Sequence, residues 1–382
     1  MSKTAPRVAV MLDLDRGYAR HAGIFAGIQA YGHAQGWNLI IDEVADDTLP
    51  TRRNKNVPYE GVIARATQKL ALRARRVSIP VVNVWYGSPC RDELPGVFRD
   101  DATIGRMCAE HLLSRGYVRF ASITTNAEAH TQACVSFQST VVDAGFSCIT
   151  KKVSIRTYQS RKARQSITGW LRERELPFGL FVCADEIAHL VAQMCRQLGY
   201  RIPKDVAIIG SANEIVFCEY CRPKLSSLDP GYENIGRKAA GLLHRLLKGD
   251  SPPTEFIRVP PLDIVVREST DFTAVADELV ASALSFIAAN GHRRIGQKEV
   301  AKAVGAEVRT LQNRFRNHLG RPIATEIRRL RIERAKRELL CSEQPIAKIA
   351  RKVGFGTSSQ MGQVFRRELG LSPSVYRKRR GV

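Results

Sequence analysis

Between residues 294 and 380 the chain lays down one plan twice: a short apolar-faced helix, a glycine turn, then a longer amphipathic helix. In the first copy Val300, Ala301 and Val304 share one face of a helix predicted over 297–304. Gly305 follows, where a helix end favours a residue that accepts positive φ. A second helix over 306–319 carries Val308, Leu311, Phe315 and Leu319 on its inner face. Its outer face shows Arg309, Thr310, Gln312, Asn313 and Arg316, side chains able to pair with base edges and phosphates. Gly320 and Pro322 end that helix and start a linker helix of roughly twenty residues, marked by Ile323, Ile327, Leu330, Arg334 and Leu339. The second copy has Ile346, Ile349, Ala350 and Val353 inward, Gly354 at the turn and Phe355 beside it. Thr357 or Ser358 is placed to cap the next helix, whose core side is Met361, Val364, Phe365 and Leu369. Ser358, Ser359, Gln360 and Gln363 are left outward, and Pro373 and Tyr376 close the unit.

Charge sharpens this reading. Residues 291–382 hold 23 Lys and Arg against 7 Asp and Glu, so they carry +16 of the chain's +22. Charge concentrated on a segment with helical apolar periodicity, and without low complexity, marks a folded nucleic-acid binder rather than a solvated tail. Two helix-turn-helix units in one chain would meet two adjacent major-groove segments of double-stranded DNA, centred about one helical turn, ~34 Å, apart.

This C-terminal part resembles the AraC-type DNA-binding domain. The likeness rests on Ile346-Ala-Lys-Ile-Ala-Arg-Lys-Val-Gly-Phe355, Val364-Phe-Arg-Arg-Glu-Leu-Gly370 and Leu371-Ser-Pro-Ser-Val-Tyr-Arg377. It implies base contacts from Arg309, Gln312 and Asn313 in the first unit, with Thr310 on the same face, and from Ser358, Ser359, Gln360 and Gln363 in the second. Lys298, Arg316, Lys348 and Arg366 are the expected phosphate contacts. Asn313 and Gln363 stand where many members carry Arg, and Gly362 interrupts the second recognition helix at a cost of roughly 1 kcal/mol against Ala.

Upstream the pattern changes to short apolar runs alternating with helical stretches. Runs at 7–12, 37–41, 61–64, 80–84 and 96–98 read as buried strands, with helical segments between most of them. A second series begins at 119–123 and continues at 148–153, 178–183, 207–210 and 225–228. The expected architecture is an α/β, two-lobed, doubly wound sensor domain followed by an all-α domain with two helix-turn-helix units. The domains are expected at 5–270 and 277–382, joined by a linker at 271–276. A helix over 231–248 should return to the first lobe, and Val275, Leu279, Leu284 and Ile287 belong to the first helix of the DNA-binding domain.

Two such lobes leave a cleft at the carboxyl ends of their strands, where a small ligand would sit. Polar and aromatic residues just after strands are the pocket candidates: Asp13, Asp15, Arg16, Tyr18, Trp85, Tyr86, Asp101, Asp185, Asn213 and Glu214, with Asp100, Asn126, Glu128 and Glu186 beside them. Carboxylates and amides that exchange hydrogen bonds with hydroxyls, next to a ring that covers an apolar sugar face, suit a carbohydrate. Strand-end Asp and Asn also serve to cap the following helix, and that plainer role stands beside the functional one at each position.

Residues 7–271 resemble the ligand-binding domain of LacI-type regulators and type I periplasmic sugar-binding proteins. The marks are Asp100-Asp-Ala-Thr-Ile-Gly105, Glu110-His-Leu-Leu113, Ala184-Asp185, Val206-Ala-Ile-Ile-Gly210 and Lys224-Leu-Ser-Ser-Leu-Asp-Pro230. LacI-type proteins carry their DNA-binding helices at the N-terminus, whereas here they follow the core. A LacI-like core with an AraC-like tail resembles the xylose-operon regulators, which implies a cytoplasmic homodimer, a sugar effector with xylose as a candidate, RNA polymerase as a partner, and activation. Two positions depart from sugar-binding relatives: Ala133 where an Arg is usual, and Ala212 where an Asp is usual. Losing one charged hydrogen-bonding partner costs roughly 1.5–3 kcal/mol.

Other classes find little support. No P-loop, GxSxG or HExxH is present, Gly17, Gly23 and Gly27 do not form a dinucleotide fingerprint, and no cofactor, metal or catalytic role is expected. The one Cys218–Cys221 CxxC pair lacks a second pair and a nearby His, so packing is its expected role. With 44% hydrophobic residues and no apolar run of membrane length, no membrane span is expected. The first residues lack the apolar stretch of an export signal.

Overall fold

A computed structural model describes residues 5–52, 56–271, 277–342 and 344–380. The first lobe runs β1 (Arg7–Met11), α1 (Ala19–Ala34), β2 (Asn38–Ile41), α2 (Ala45–Thr48), β3 (Gly61–Ala64), α3 (Gln68–Val77), β4 (Val81–Asn83) and β5 (Val97–Arg99). The second runs α4 (Asp101–Ser114), β6 (Phe120–Thr124), α5 (Glu128–Asp143), β7 (Cys148–Lys152), α6 (Arg161–Arg172), β8 (Phe178–Val182), α7 (Asp185–Gln197), β9 (Val206–Gly210), α8 (Ile215–Glu219) and β10 (Ser226–Leu228). The chain returns to the first lobe as α9 (Tyr232–Leu247) and β11 (Ile257–Val259), then crosses again to β12 (Ile264–Val265).

The first sheet has the order β2-β1-β3-β4, and a bridge from Asn83 to Gly96 attaches the parallel pair β5-β11. The second has the order β12-β10-β9-β8-β6-β7. Val8, Ala9 and Val10 in β1, and Val206 through Ile209 in β9, are fully buried, because helices cover both faces of each sheet. That is why these strands read as unbroken apolar runs. Two strands escaped the sequence reading. β11 pairs with β5 across some 150 residues of intervening chain, and β12 joins β10 antiparallel.

α9 packs on α1 and contributes Ile235, Ala239, Ala240, Leu242 and Leu243 to the first-lobe core, as expected for a returning helix. The second lobe has its own core, from Ile104 on α4 to Leu228 on β10.

The C-terminal part contains α10 (Glu278–Asn290), α11 (Gln297–Ala303), α12 (Val308–Leu319), α13 (Ile323–Cys341), α14 (Ile346–Lys352), α15 (Ser358–Leu369) and α16 (Pro373–Arg380). Two separate apolar cores lie here. One joins Val280, Ala283, Leu284 and Ile287 of α10 to Val300, Leu311, Phe315 and Ile327; the other joins Ile332, Ala335 and Leu339 to Ile349, Met361, Phe365 and Tyr376. α13 therefore belongs to both cores, its first half to one and its second half to the other. The turn glycines Gly305 and Gly354 have φ of +69° and +92°, the left-handed conformation that their positions required. Of the expected linker, residues 272–276 lie outside the described residues. Among the described residues no helix is long and apolar enough to cross a membrane.

Candidate ligand cleft and nucleic-acid interface

The cleft opens where the strand ends of the two lobes face each other, and encloses about 360 Å³. Of the predicted pocket residues, Tyr18, Trp85, Tyr86, Asp101, Glu128, Glu186 and Glu214 line it. Trp85 forms one wall, with the Arg65 guanidinium 4.7 Å from its ring centroid. Tyr86 packs edge-on against Phe98 at 5.3 Å and is covered by Arg258 at 4.5 Å. A hydrogen bond from Asn83 Nδ2 to the Trp85 carbonyl, at 3.1 Å, and one from the Trp85 N–H to Asn83 Oδ1, at 2.9 Å, fix the loop that carries these rings.

Asp101 is the first residue of α4 and is 1% exposed. Arg99 Nε lies 2.7 Å from its Oδ1, but off the N–H axis, and neither carboxylate oxygen accepts a protein hydrogen bond among the described residues. Burial pushes its carboxyl up to about 6, against the opposing charges of Arg99 and Arg258. Arg258 Nη1, also buried, has no hydrogen-bond partner among the described residues.

Glu214 bridges the lobes, its Oε2 accepting from the Ala19 N–H at 2.9 Å. On the opposite rim Glu128 accepts from Arg91 at 2.6 Å and from the Tyr86 hydroxyl at 3.1 Å. Arg99 Nη1 donates to the Ser211 carbonyl at 3.2 Å. Together these contacts tie lobe to lobe around the cleft.

Several predicted pocket residues stand elsewhere. Asp185 is buried in the wall, with its carboxylate taken up by the N–H groups of Ser211 and Glu214, both at 2.9 Å, by Ser227 Oγ at 2.8 Å and by Cys218 Sγ at 3.5 Å. It organises the loop after β9 instead of facing a ligand. Asn213 has φ of +47° and is held between Arg267 and Asp229. Asp13, with φ of +55°, pairs with Arg65 and so acts on the cleft at one remove; its N–H donates to Glu43 at 2.6 Å. Asp15 is exposed outside the cleft lining, and the side chain of Arg16 lies outside the described ones. Asp100 caps α4 by accepting from the Thr103 N–H at 3.0 Å.

The lining residues that the sequence reading missed include Arg20, His21, Arg65, Arg99, His130 and Tyr232. Arg65 follows β3 directly, so the rule that found Trp85 would have found it. His130 sits within α5, six residues past β6, and Tyr232 starts α9, four residues past β10. Burial, with the charges of Arg99 and Arg20, pulls His130 down to about 3, so it is a neutral ring whose Nδ1 meets Thr125 Oγ1 at 2.8 Å. Ala133 is buried in α5 and Ala212 lies in the lining, so the cations of this cleft come from Arg20, Arg65 and Arg99 instead. Cys218 and Cys221 are buried, Cys218 against Asp185.

On the C-terminal domain Arg309, Thr310, Asn313, Ser358, Ser359 and Gln363 are exposed on α12 and α15, and so are the cations Lys298, Arg316, Lys348 and Arg366. Two predicted readers have other partners. Gln312 is half-buried and hydrogen-bonded to Gln297. Gln360 accepts from the Gly356 N–H at 3.2 Å, while its own N–H donates to Thr357 Oγ1 at 3.2 Å; Thr357, not Ser358, is the cap.

Comparison with known proteins matches both halves. Residues 109–270 match the periplasmic binding protein-like domain, and residues 300–379 a helix-turn-helix domain. The chain is similar to the xylose operon regulatory protein of Escherichia coli K12, 25% identical over 97% of this chain and 96% of that one. It is also similar to that of Haemophilus influenzae, at 23% over 99% of both. Among solved structures, the xylose-binding transcription activator xylR aligns over the full length of both chains with a TM-score of 0.61 at 22% identity. The transcriptional regulator CelR in complex with cellobiose aligns over 69% of this chain and 84% of its own, with a TM-score of 0.56 at 20% identity.

Proposed function

We propose that this ligand-responsive transcription regulator, a periplasmic-binding-protein-like sensor joined to an AraC-type helix-turn-helix reader, closes its lobes on a monosaccharide and thereby changes how the reader meets DNA. The observation that carries the sensor half is the pairing, in one cleft, of the Trp85 ring with the buried carboxylate of Asp101, whose ion-pair partner is Arg99. A ring covers the apolar face of a sugar, and a carboxylate accepts from its hydroxyls. Pentoses are the first class to try, because the relatives similar over the whole chain are named for the xylose operon. The effector pocket is then Tyr18, Trp85, Tyr86, Asp101 and Glu214, with Arg65, Arg99 and His130. Base reading falls to Arg309, Thr310, Gln312 and Asn313 on α12, and to Ser358, Ser359, Gln360 and Gln363 on α15; Lys298, Arg316, Lys348 and Arg366 take phosphates.

The working unit in this reading is a homodimer in the cytoplasm. It presents two readers to paired sites and activates by contact with RNA polymerase. The sensor is taken to end at 270 and the reader to begin at 277, a division supported by the start of α10 at Glu278 with Asp277 as its cap. A thermal-shift screen against pentoses and hexoses tests the sensor: a sugar that raises the melting temperature in the native chain, and fails to in Trp85→Ala, is the expected result. No shift with any sugar would refute the sensor half and leave a constitutive DNA-binding protein.

A further inference from the structure

α4 begins in the cleft and ends against the DNA-binding domain. Its first residue is Asp101, and fourteen residues later, about 20 Å along the axis, its last turn meets α13. Arg321 Nη2 donates to the Leu113 carbonyl at 3.1 Å, and Arg329 Nη1 to the Glu110 carbonyl at 3.5 Å. Cations at this end complement the partial negative charge of the helix C-terminus. Both guanidiniums are held by one carboxylate. Glu326, 1% exposed, lies 2.7 Å from Arg321 Nε and 2.6 Å from Arg329 Nη2. Neither arginine can leave α4 without breaking a buried pair or taking α13 with it.

The chain that leaves the sensor is tied to the same spot. His111 Nε2 meets Thr270 Oγ1 at 2.8 Å, and Arg115 Nη1 lies 3.5 Å from Asp271 Oδ1. Beside these contacts is a cavity of about 510 Å³, lined by Met107 and Ser114 of α4 and by Leu284 and Ala288 of α10. The two domains are therefore joined through polar clamps around a loosely filled space, which permits α4 to shift without a clash.

We infer that α4 is the physical link between the cleft and the DNA reader. A change at Asp101 moves the helix, the Arg321–Glu326–Arg329 clamp passes the movement to α13, and both helix-turn-helix units follow because α13 runs through both of their cores. The inference rests on the proposed function for the meaning of cleft occupancy, but its test needs neither sugar nor DNA.

Hydrogen exchange is measured on the full chain, peptide by peptide, for Asp101→Asn in the native background and in an Arg321→Ala/Arg329→Ala background. The expected result is a severalfold change in exchange over 323–341 caused by Asp101→Asn in the native background. That change should vanish in the double variant, while the response at 99–108 persists. The conservative pair Arg321→Lys/Arg329→Lys, which keeps the charge and loses the guanidinium geometry, must weaken transmission in the same direction; it serves as the deciding comparison should the alanine pair unfold. Equal changes over 323–341 in every background, or no change there while the cleft responds, overturns the inference. Either failure leaves the sugar screen and the DNA-binding reading standing on their own results.

Discussion

Asp101 shows what a single residue contributes here. Relative to an unfolded carboxyl near 4, its native value of about 6 means that folding favours the protonated form. That contribution is present below about pH 4 and is lost as pH rises through 6. A hydroxyl donating to the carboxylate favours the ionised form instead. Sugar affinity is therefore expected to tighten from pH 5 to pH 7, and Asp101→Asn to flatten the profile, as isothermal titration at several pH values would measure. Arg99, Arg258 and Asp100 set the field at this site. Trp85→Ala removes the ring platform, with an expected loss of roughly 1–2 kcal/mol, about 5- to 30-fold in affinity. On the reader, Arg309→Ala should relax preference at one base position by about 1–3 kcal/mol. Lys348→Ala should weaken all sequences alike and lower the salt slope by about 0.9. Binding titrations on permuted sites distinguish the two, and equal loss on every site for Arg309→Ala would sink its assignment.

Among the elements, α13 holds the molecule's most consequential buried charge. Burial alone would raise the Glu326 carboxyl, but Arg329 and Arg321 outweigh it and bring it down to about 2. A depressed carboxyl stabilises the fold above its unfolded value near 4.3, and that stability fades as pH falls toward 2. Glu326→Ala leaves two guanidiniums without their partner and should cost about 3–5 kcal/mol. Arg328→Ala, which breaks a half-exposed pair with Glu368 at 3.4 Å, should cost about 0–1 kcal/mol. Calorimetric scans of the two variants would show that contrast in the transition of the helical domain. α15 offers the opposite case. A Cβ on Gly362 would meet only Arg366 Nη2, at 3.7 Å, an ordinary contact. Gly362→Ala is therefore expected to stabilise α15 by about 0.5–1 kcal/mol.

At the scale of the whole molecule, charge and topology divide the labour. The +16 of residues 291–382 supplies attraction to any duplex, and four phosphate-facing cations would give a slope of log K on log salt of roughly −3.6 per chain. A measured slope near zero would mean that this surface does not meet phosphate. The sensor's contribution is positional: its lobes are bridged by Glu214 and Glu128, and its second lobe is clamped to α13.

Local pattern was enough to specify the helix-turn-helix pair, the strand–helix alternation and the turn glycines, because each depends on residues within a few positions of one another. Apolar spacing at 3 and 4 residues defined α12 and α15, and unbroken apolar runs defined β1 and β9. Pairing across distance belonged to the tertiary structure. β11 became a strand only beside β5, Asp185 became wall only when Ser211, Glu214 and Ser227 converged on it, and Arg99, His130 and Tyr232 became pocket only when the lobes met. Glu326 looked like any polar residue on a basic helix. Its role arises from burial against a second domain, and burial depends on contacts that no stretch of sequence contains by itself.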